Sequence, residues 1–355
     1  MIIGIVLLVM LLGLPLVGVR LAGMSAGQFM EFPPLTQHVE HAGFSWAAFI
    51  GLALFAVVVL GPLVRANIVS TPDMSAKLTK RSFPWWGWCG IVFGAAVWGL
   101  AWNRFAWFQF FQLHTFTPLW FSYIVVVNAL TYRRCGRCML KDRPGRLALL
   151  FFASAAFWWF FEYLNRFVQN WYYTELESIS RSEYFVLATL SFSTVLPAVM
   201  GTYELLKTLP RLSAGLDDFI RVKVARPKLT AAVVLAIAGF GLAGLGVWPD
   251  ILFGLLWVSP LLIIIALQTL MGRKHRLASL AQGDWRSVWL AALAALICGF
   301  FWEMWNWHSF SQWIYTVPYV ERFKIFEMPL LGFLGYLPFG LECLVVADWV
   351  SGGSE

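Results

Sequence analysis

Charge is what this chain of 355 residues has least of. Asp, Glu, Lys and Arg make up 13 % of it, against 60 % hydrophobic residues. Soluble domains carry ~25 % charged and ~45–50 % apolar residues, so the shortage excludes a soluble globular protein. It excludes disorder as well, which needs high charge and low hydrophobicity. Cysteine is too sparse for a disulfide framework: there are five, and Cys89, Cys298 and Cys343 fall in apolar runs as small core residues. Phosphate-cradling glycine loops, serine elbows and H-E-x-x-H helices are missing. Serine and threonine are too few to suggest a coordinated ion. Low-complexity tracts are absent. The net charge of +7 does not point to nucleic acid, because the basic residues sit in short loops between apolar runs.

Those runs are what the chain does have. Stretches of ~20 apolar residues, enough for ~30 Å of hydrocarbon, lie near 2–19, 44–64, 85–103, 116–132, 147–166, 184–206, 229–248, 251–271, 288–306 and 325–347. The pattern predicts an all-α polytopic membrane protein of about ten transmembrane helices, with the lipid bilayer as its first partner. The first run lacks a basic flank and a small-residue cleavage site, so it reads as a retained helix. The eighth follows the seventh across Pro249-Asp250, which predicts a tight helical hairpin. Of the Lys and Arg residues, 20 fall in one alternating set of loops and six in the other. By the positive-inside rule both termini are then cytoplasmic, and a bacterial inner (cytoplasmic) membrane is the expected location.

The chain also repeats itself at a shift of about 142. Gly99-Leu100-Ala101 matches Gly241-Leu242-Ala243, and Phe111, Leu113, Pro118 and Leu119 match Phe253, Leu255, Pro260 and Leu261. Phe161-Glu162-x-x-Asn165 matches Trp302-Glu303-x-x-Asn306. Trp171-x-Tyr173-Thr174 matches Trp313-x-Tyr315-Thr316, and Pro197 matches Pro338. Two four-helix repeats follow, 85–206 and 229–347, joined by a linker at 207–228. Two N-terminal helices and their loop (1–84) stand outside, and a short tail (348–355) closes a 2 + 4 + 4 order. An even number of helices per repeat makes the two parallel, related by a pseudo-twofold along the membrane normal.

Polar groups inside these runs need a reason. Glu162 and Glu303 each fall ~22 Å into a ~30 Å core, with Asn165 and Asn306 one turn on along the same helical face. An ionised carboxylate there costs a few kcal/mol or more, so each glutamate should face the bundle interior and have a partner. That suits a proton or cation relay, a metal site or an acid–base pair; the plain alternative is a glutamate–asparagine clamp between helices. Glu342 lies towards the inner end of its helix after Gly332, Gly335 and Gly340, which permit close packing. Glu204 is expected to snorkel to the interface, and Glu327 to start the last helix. The tryptophans and tyrosines around both motifs read first as an interfacial belt. Trp158 and Trp159 lie deeper than a belt needs, so a cavity for a hydrophobic, aromatic or isoprenoid ligand is the sharper alternative.

His38, His41, His114 and His308 cluster towards one side and are weak candidates for a metal site; His308 also joins Glu303 and Asn306 as a site candidate. No histidine sits mid-membrane to bind a haem, and no motif names a cofactor. Cys135 and Cys138 form a single C-x-x-C in a basic loop, where Arg133, Arg134 and Arg137 would activate a thiol, but a lone pair without a second C-x-x-C reads first as two reduced surface thiols. Three readings remain. The first is a secondary transporter of a small or amphipathic solute using the paired intramembrane glutamates. The second is a membrane-embedded enzyme acting on a lipid or isoprenoid near the outer leaflet. The third is a non-catalytic subunit of a membrane complex.

Overall fold

The computed structural model describes residues 2–34, 36–72, 81–176 and 179–352. Lys77 and Lys80 of the expected basic loop, and the last three residues of the expected tail, lie outside them. The described chain is mostly helical, with no barrel. In order it forms α1 (Ile2–Leu21), α2 (Trp46–Val69), α3 (Trp85–Trp102), α4 (Phe116–Cys135), α5 (Met139–Asp142) and α6 (Pro144–Val168). Strand β1 (Trp171–Tyr173), α7 (Arg181–Phe192), α8 (Val195–Lys207), α9 (Pro227–Gly244), α10 (Pro249–Leu252), α11 (Ser259–Leu270) and α12 (Arg286–Asn306) follow. Strands β2 (Trp313–Tyr315), β3 (Lys324–Ile325) and β4 (Met328–Pro329) then lead into α13 (Tyr336–Val350).

Among the described residues seven helical stretches are long and apolar enough to cross a membrane, or up to nine if each of two bent pairs counts as one span. That is consistent with a multi-pass membrane protein. The outer faces agree: Phe240 is 80 % exposed and Val58 71 %. A contiguous apolar surface of that kind is held by lipid rather than water. The expected third span coincides with α3, which is not among the nine. It carries five tryptophans in 18 residues, and these lower its hydropathy.

Short interruptions mark four of the helix starts, and of the expected runs it is 251–271 that is bent. The 3-10 turn Ala106–His114 meets α4 at 67°, and Pro249–Trp257 meets α11 at 54°. The run 184–206 holds as one candidate span, Arg181–Lys207, with a two-residue interruption between α7 and α8, and the run expected from 325 starts late, with a 3-10 turn at Leu330–Gly335 before α13. Glu327 therefore lies in the β3–β4 turn rather than at a helix start. One cause serves all four restarts. Pro118, Pro197, Pro260 and Pro338 each sit within the first turn of α4, α8, α11 and α13. Proline has no N–H to give and clashes with the preceding turn, so a helix can begin there but not pass through. Hydropathy does not register such a break.

Close packing is set by small residues. α9 packs on α11 as the expected hairpin, and α1 lies against α9. A Cβ on Gly18 would fall 1.8 Å from the carbonyl oxygen of Ala243, and one on Gly340 of α13 would fall 2.1 Å from that of Ala291 on α12. Both crossings need glycine, as the small-residue rule for helices in lipid requires. α2 is the loosest element, with 6 % of its apolar window buried.

Contacts between loops define two ends of the bundle. At one end Arg134 donates to the carbonyl of Thr208, Arg211 to those of Ile68 and Ser70, and Arg276 pairs with Asp348. At the other, β1 pairs antiparallel with β2 in the register Trp171↔Tyr315, Tyr172↔Ile314 and Tyr173↔Trp313, and Arg104 donates to the carbonyl of His308.

Candidate functional site

The strand-bearing end builds the site. α6 stops at Gln169, which takes the left-handed conformation (φ 53°) and turns the chain back over the helix end. Asn165 fixes that reversal with both ends of its amide. Its Nδ2 donates to the carbonyl of Trp171 at 2.8 Å, and its Oδ1 accepts from the amide of Asn170 at 2.8 Å. Asn306 does the same for α12: Nδ2 donates to the carbonyl of Trp313 at 2.8 Å, and Oδ1 accepts from the amide of that residue at 2.9 Å. An asparagine has both a donor and an acceptor to offer, which neither an aspartate nor an aliphatic residue can match. The folded-back strands then lay their aromatic side chains over the carboxylates one turn earlier.

Glu162 and Glu303 are both fully buried. Glu162 Oε1 accepts three bonds, from Tyr173 Oη at 2.6 Å, Trp158 Nε1 at 3.0 Å and Trp171 Nε1 at 3.2 Å. Glu303 Oε1 accepts from Tyr336 Oη at 2.6 Å and Tyr315 Oη at 2.8 Å, and Trp313 Nε1 donates at 2.9 Å to the Tyr315 oxygen. The second oxygen of each carboxylate is buried with no hydrogen-bond partner among the described residues. The two glutamates share no donor. The asparagines serve the strands, so the expected glutamate–asparagine clamp is two separate devices on one helical face.

Beside both clusters lies a cavity of about 650 Å³. Trp158, Trp171 and Tyr173 of the first cluster form part of its wall, as do Trp302, Trp313, Tyr315 and Tyr336 of the second. α2 closes one side with Leu52, Phe55 and Val59, and α7 another with Tyr184, Leu187 and Phe192. The volume is that of a small-molecule chamber, and the wall is apolar and aromatic with few polar groups. One of these is Asn170, which is 3 % exposed and whose Oδ1 has no partner among the described residues. The tryptophans expected in a belt are thus divided: Trp158 and Trp171 are carboxylate ligands and chamber wall, not interfacial anchors. Depth along the helix was a usable signal for Trp158 but not for Trp159, which is not on the wall and donates to Thr189 Oγ1 at 3.0 Å. Tyr336 and Trp257 gave none, because no motif marks them. Trp257 stacks on Phe161 at 5.2 Å and joins the chamber from the turn before α11.

The remaining candidates scatter. Glu342 is 1 % exposed on α13 and is not on the chamber wall. His308 packs against Trp307 (4.2 Å between ring centroids) and Trp102 (5.2 Å). His41 ties the chain together: its Nδ1 lies 2.6 Å from Asp250 Oδ1, and its Nε2 3.1 Å from the carbonyl of Gln169. His38 meets the edge of Tyr172, and His114 packs on Phe110 and Phe111. Among the described residues no three His, Cys, Asp or Glu side chains gather as a metal site, so the four histidines do not form one. Glu204 pairs with Lys207 at 3.4 Å and Arg143 at 3.8 Å, as an interfacial carboxylate should. Cys135 and Cys138 are free thiols, but Cys138 is buried rather than at the surface, and that desolvation is the largest cause pushing its thiol up from its ordinary value. No protein-family model, curated protein or solved structure matches the chain.

Proposed function

We propose that the protein is a membrane-embedded acid–base enzyme whose chamber takes a largely apolar ligand of the lipid or isoprenoid class. One observation carries the reading: a cavity of about 650 Å³, walled by aromatic side chains, is separated from two fully buried glutamates only by the phenols and indoles bonded to them. A carboxyl group one hydrogen bond behind a phenol is placed to exchange a proton with a bound molecule. An apolar wall keeps water away from what forms. Aromatic faces stabilise positive charge developing in an otherwise apolar ligand. Asn170 Oδ1, without a partner among the described residues, offers an acceptor for a hydroxyl on that ligand.

An internal duplication belongs to the same reading. The matching asparagine bonds, the phenol on each glutamate and the symmetric β1–β2 register support it. So do the four proline restarts in matched pairs. Ten crossings in a 2 + 4 + 4 order, with the basic loops towards the cytoplasm, complete it.

The test is organic extraction of the purified protein followed by mass spectrometry, wild type beside Gly254→Leu. A Cβ at Gly254 meets nothing within 4 Å, and the residue lines the chamber, so leucine fills the cavity without disturbing its wall. The expected result is a stoichiometric lipophilic compound in the wild type, lost in the variant. An empty wild type, or equal occupancy of both proteins, would sink the reading.

A second reading, transport, keeps support from the bent helix pairs and from a small polar cavity beyond the chamber. On α8 the chamber-lining Val195 and the polar-cavity residue Met200 are ~7.5 Å apart at 1.5 Å per residue. Counterflow of the extracted compound across proteoliposomes distinguishes transport from turnover.

A further inference from the structure

The polar cavity at the basic end has a composition of its own. It holds about 170 Å³, room for several water molecules or a small polar group. Four cationic side chains line it, Arg143, Arg146, Lys207 and Arg276, against two carboxylates, Glu204 and Asp348. Both carboxylates are engaged. Asp348 takes both arms of Arg276, one of them at 2.6 Å, and these bonds hold the guanidinium above its ordinary value. Glu204 lies between Arg143 and Lys207. Cationic side chains therefore outnumber carboxylates in the lining of this cavity, which lies within the ends of α6, α8 and α13. Arg146 Nε is buried with no partner among the described residues. α6 adds to the same field. Its 25 residues start here with Pro144, and no side chain caps the first turn. The amides of an uncapped helix start favour an anion, and the helix dipole points the same way.

We propose that this cavity binds an anion bearing a phosphoryl group, with Arg146 and Lys207 as its main contacts. Guanidinium forks and ammonium donors match phosphate oxygens, and a basic pocket between helix ends is a recurring headgroup site. The proposal is independent of the chamber, which shares no lining residue with this cavity.

Native mass spectrometry on protein released from bilayer discs tests it. Discs of phosphatidylcholine alone, with inorganic phosphate added, form one arm; discs containing phosphatidic acid form the other. Retention of one phosphatidic acid per chain identifies a lipid headgroup, and retention of free phosphate a soluble anion; either supports the site. Arg146→Gln should weaken retention roughly fivefold, and Arg146→Gln with Lys207→Gln about 25-fold, at ~1 kcal/mol per basic residue near a membrane. Glu204→Gln removes a competing carboxylate and should strengthen it, a gain that misfolding cannot produce. Retention of neither probe, or retention unchanged in all three variants, overturns the proposal.

Discussion

The Glu162 and Glu303 sites use the same parts in the same order and connect them differently. Each has a buried glutamate, an asparagine one turn on, a strand that folds back, and a tyrosine from that strand on Oε1. The remaining donors differ. At Glu162 they are two indoles, Trp158 and Trp171. At Glu303 the phenol of Tyr336 donates, and the indole of Trp313 donates to the Tyr315 oxygen. An indole N–H donates and does nothing else, whereas a phenol both donates and accepts. A proton can therefore pass to and from Glu303 through either of its neighbours, while two of the three groups on Glu162 only hold it. The contrast suggests a division of labour, with Glu162 as anchor and Glu303 as the working acid.

The largest expected effect tests that division directly. Glu303→Gln should lower turnover of the extracted ligand by ~10²–10⁴-fold, the usual contribution of a positioned acid or base. Ligand occupancy and the unfolding midpoint should stay near wild type, because glutamine keeps the accepting oxygen. Glu162→Gln should leave turnover within a few-fold. Equal losses from the two substitutions would break the comparison and make the glutamates a symmetric pair. No loss from either would remove acid–base chemistry altogether.

What the sequence disclosed and what it withheld follow from range. The E-x-x-N and W-x-Y-T motifs are local, so their spacing already places carboxylate, asparagine and tyrosine on one helix end and the strand after it. Apolar runs likewise announced the helices. The chamber is not local. Val59 on α2, Tyr184 on α7, Trp257 before α11 and Tyr336 on α13 meet there from across the whole chain, and none belongs to a motif. The interruptions before α8 and α11 were missed for another reason: hydropathy averages over a window, and a single proline such as Pro197 or Pro260 does not register in it. The histidines misled because closeness in sequence is not closeness in space: His38 and His41 are three residues apart, yet one meets Tyr172 and the other Asp250.

Between the two sites, the phenol that has no counterpart is the next place to look. Tyr336→Phe removes one donor to Glu303 and should reduce turnover ~10-fold or more, since a hydrogen bond to a charged group is worth ~1.5–3 kcal/mol. Trp158→Phe removes a donor to Glu162 and should act on stability instead, seen as a lower unfolding midpoint with turnover per folded molecule retained. A Trp158→Phe protein that is stable but slow would move the working acid to the first site. Unimpaired turnover in Tyr336→Phe would leave Tyr315 as the sole conduit.

The smallest difference is expected where the two halves are most alike. Asn165 bridges the carbonyl of Trp171 and the amide of Asn170 just before the strand, and Asn306 bridges the carbonyl and amide of Trp313, at 2.8–2.9 Å throughout. Substitution by alanine leaves two backbone groups unpaired in a buried turn, at ~1–3 kcal/mol for each that stays dry. Asn165→Ala and Asn306→Ala should therefore lower stability by similar amounts. They should not simply add, because β1 and β2 pair with each other and loosening one strand loosens the register of both. A double variant less destabilised than the sum of the singles, measured by thermal unfolding in one detergent, would show that the strand pair behaves as a unit. Strict additivity would mean that each glutamate site is organised by its own helix end alone, and the asymmetry of donors would then have to arise within each site.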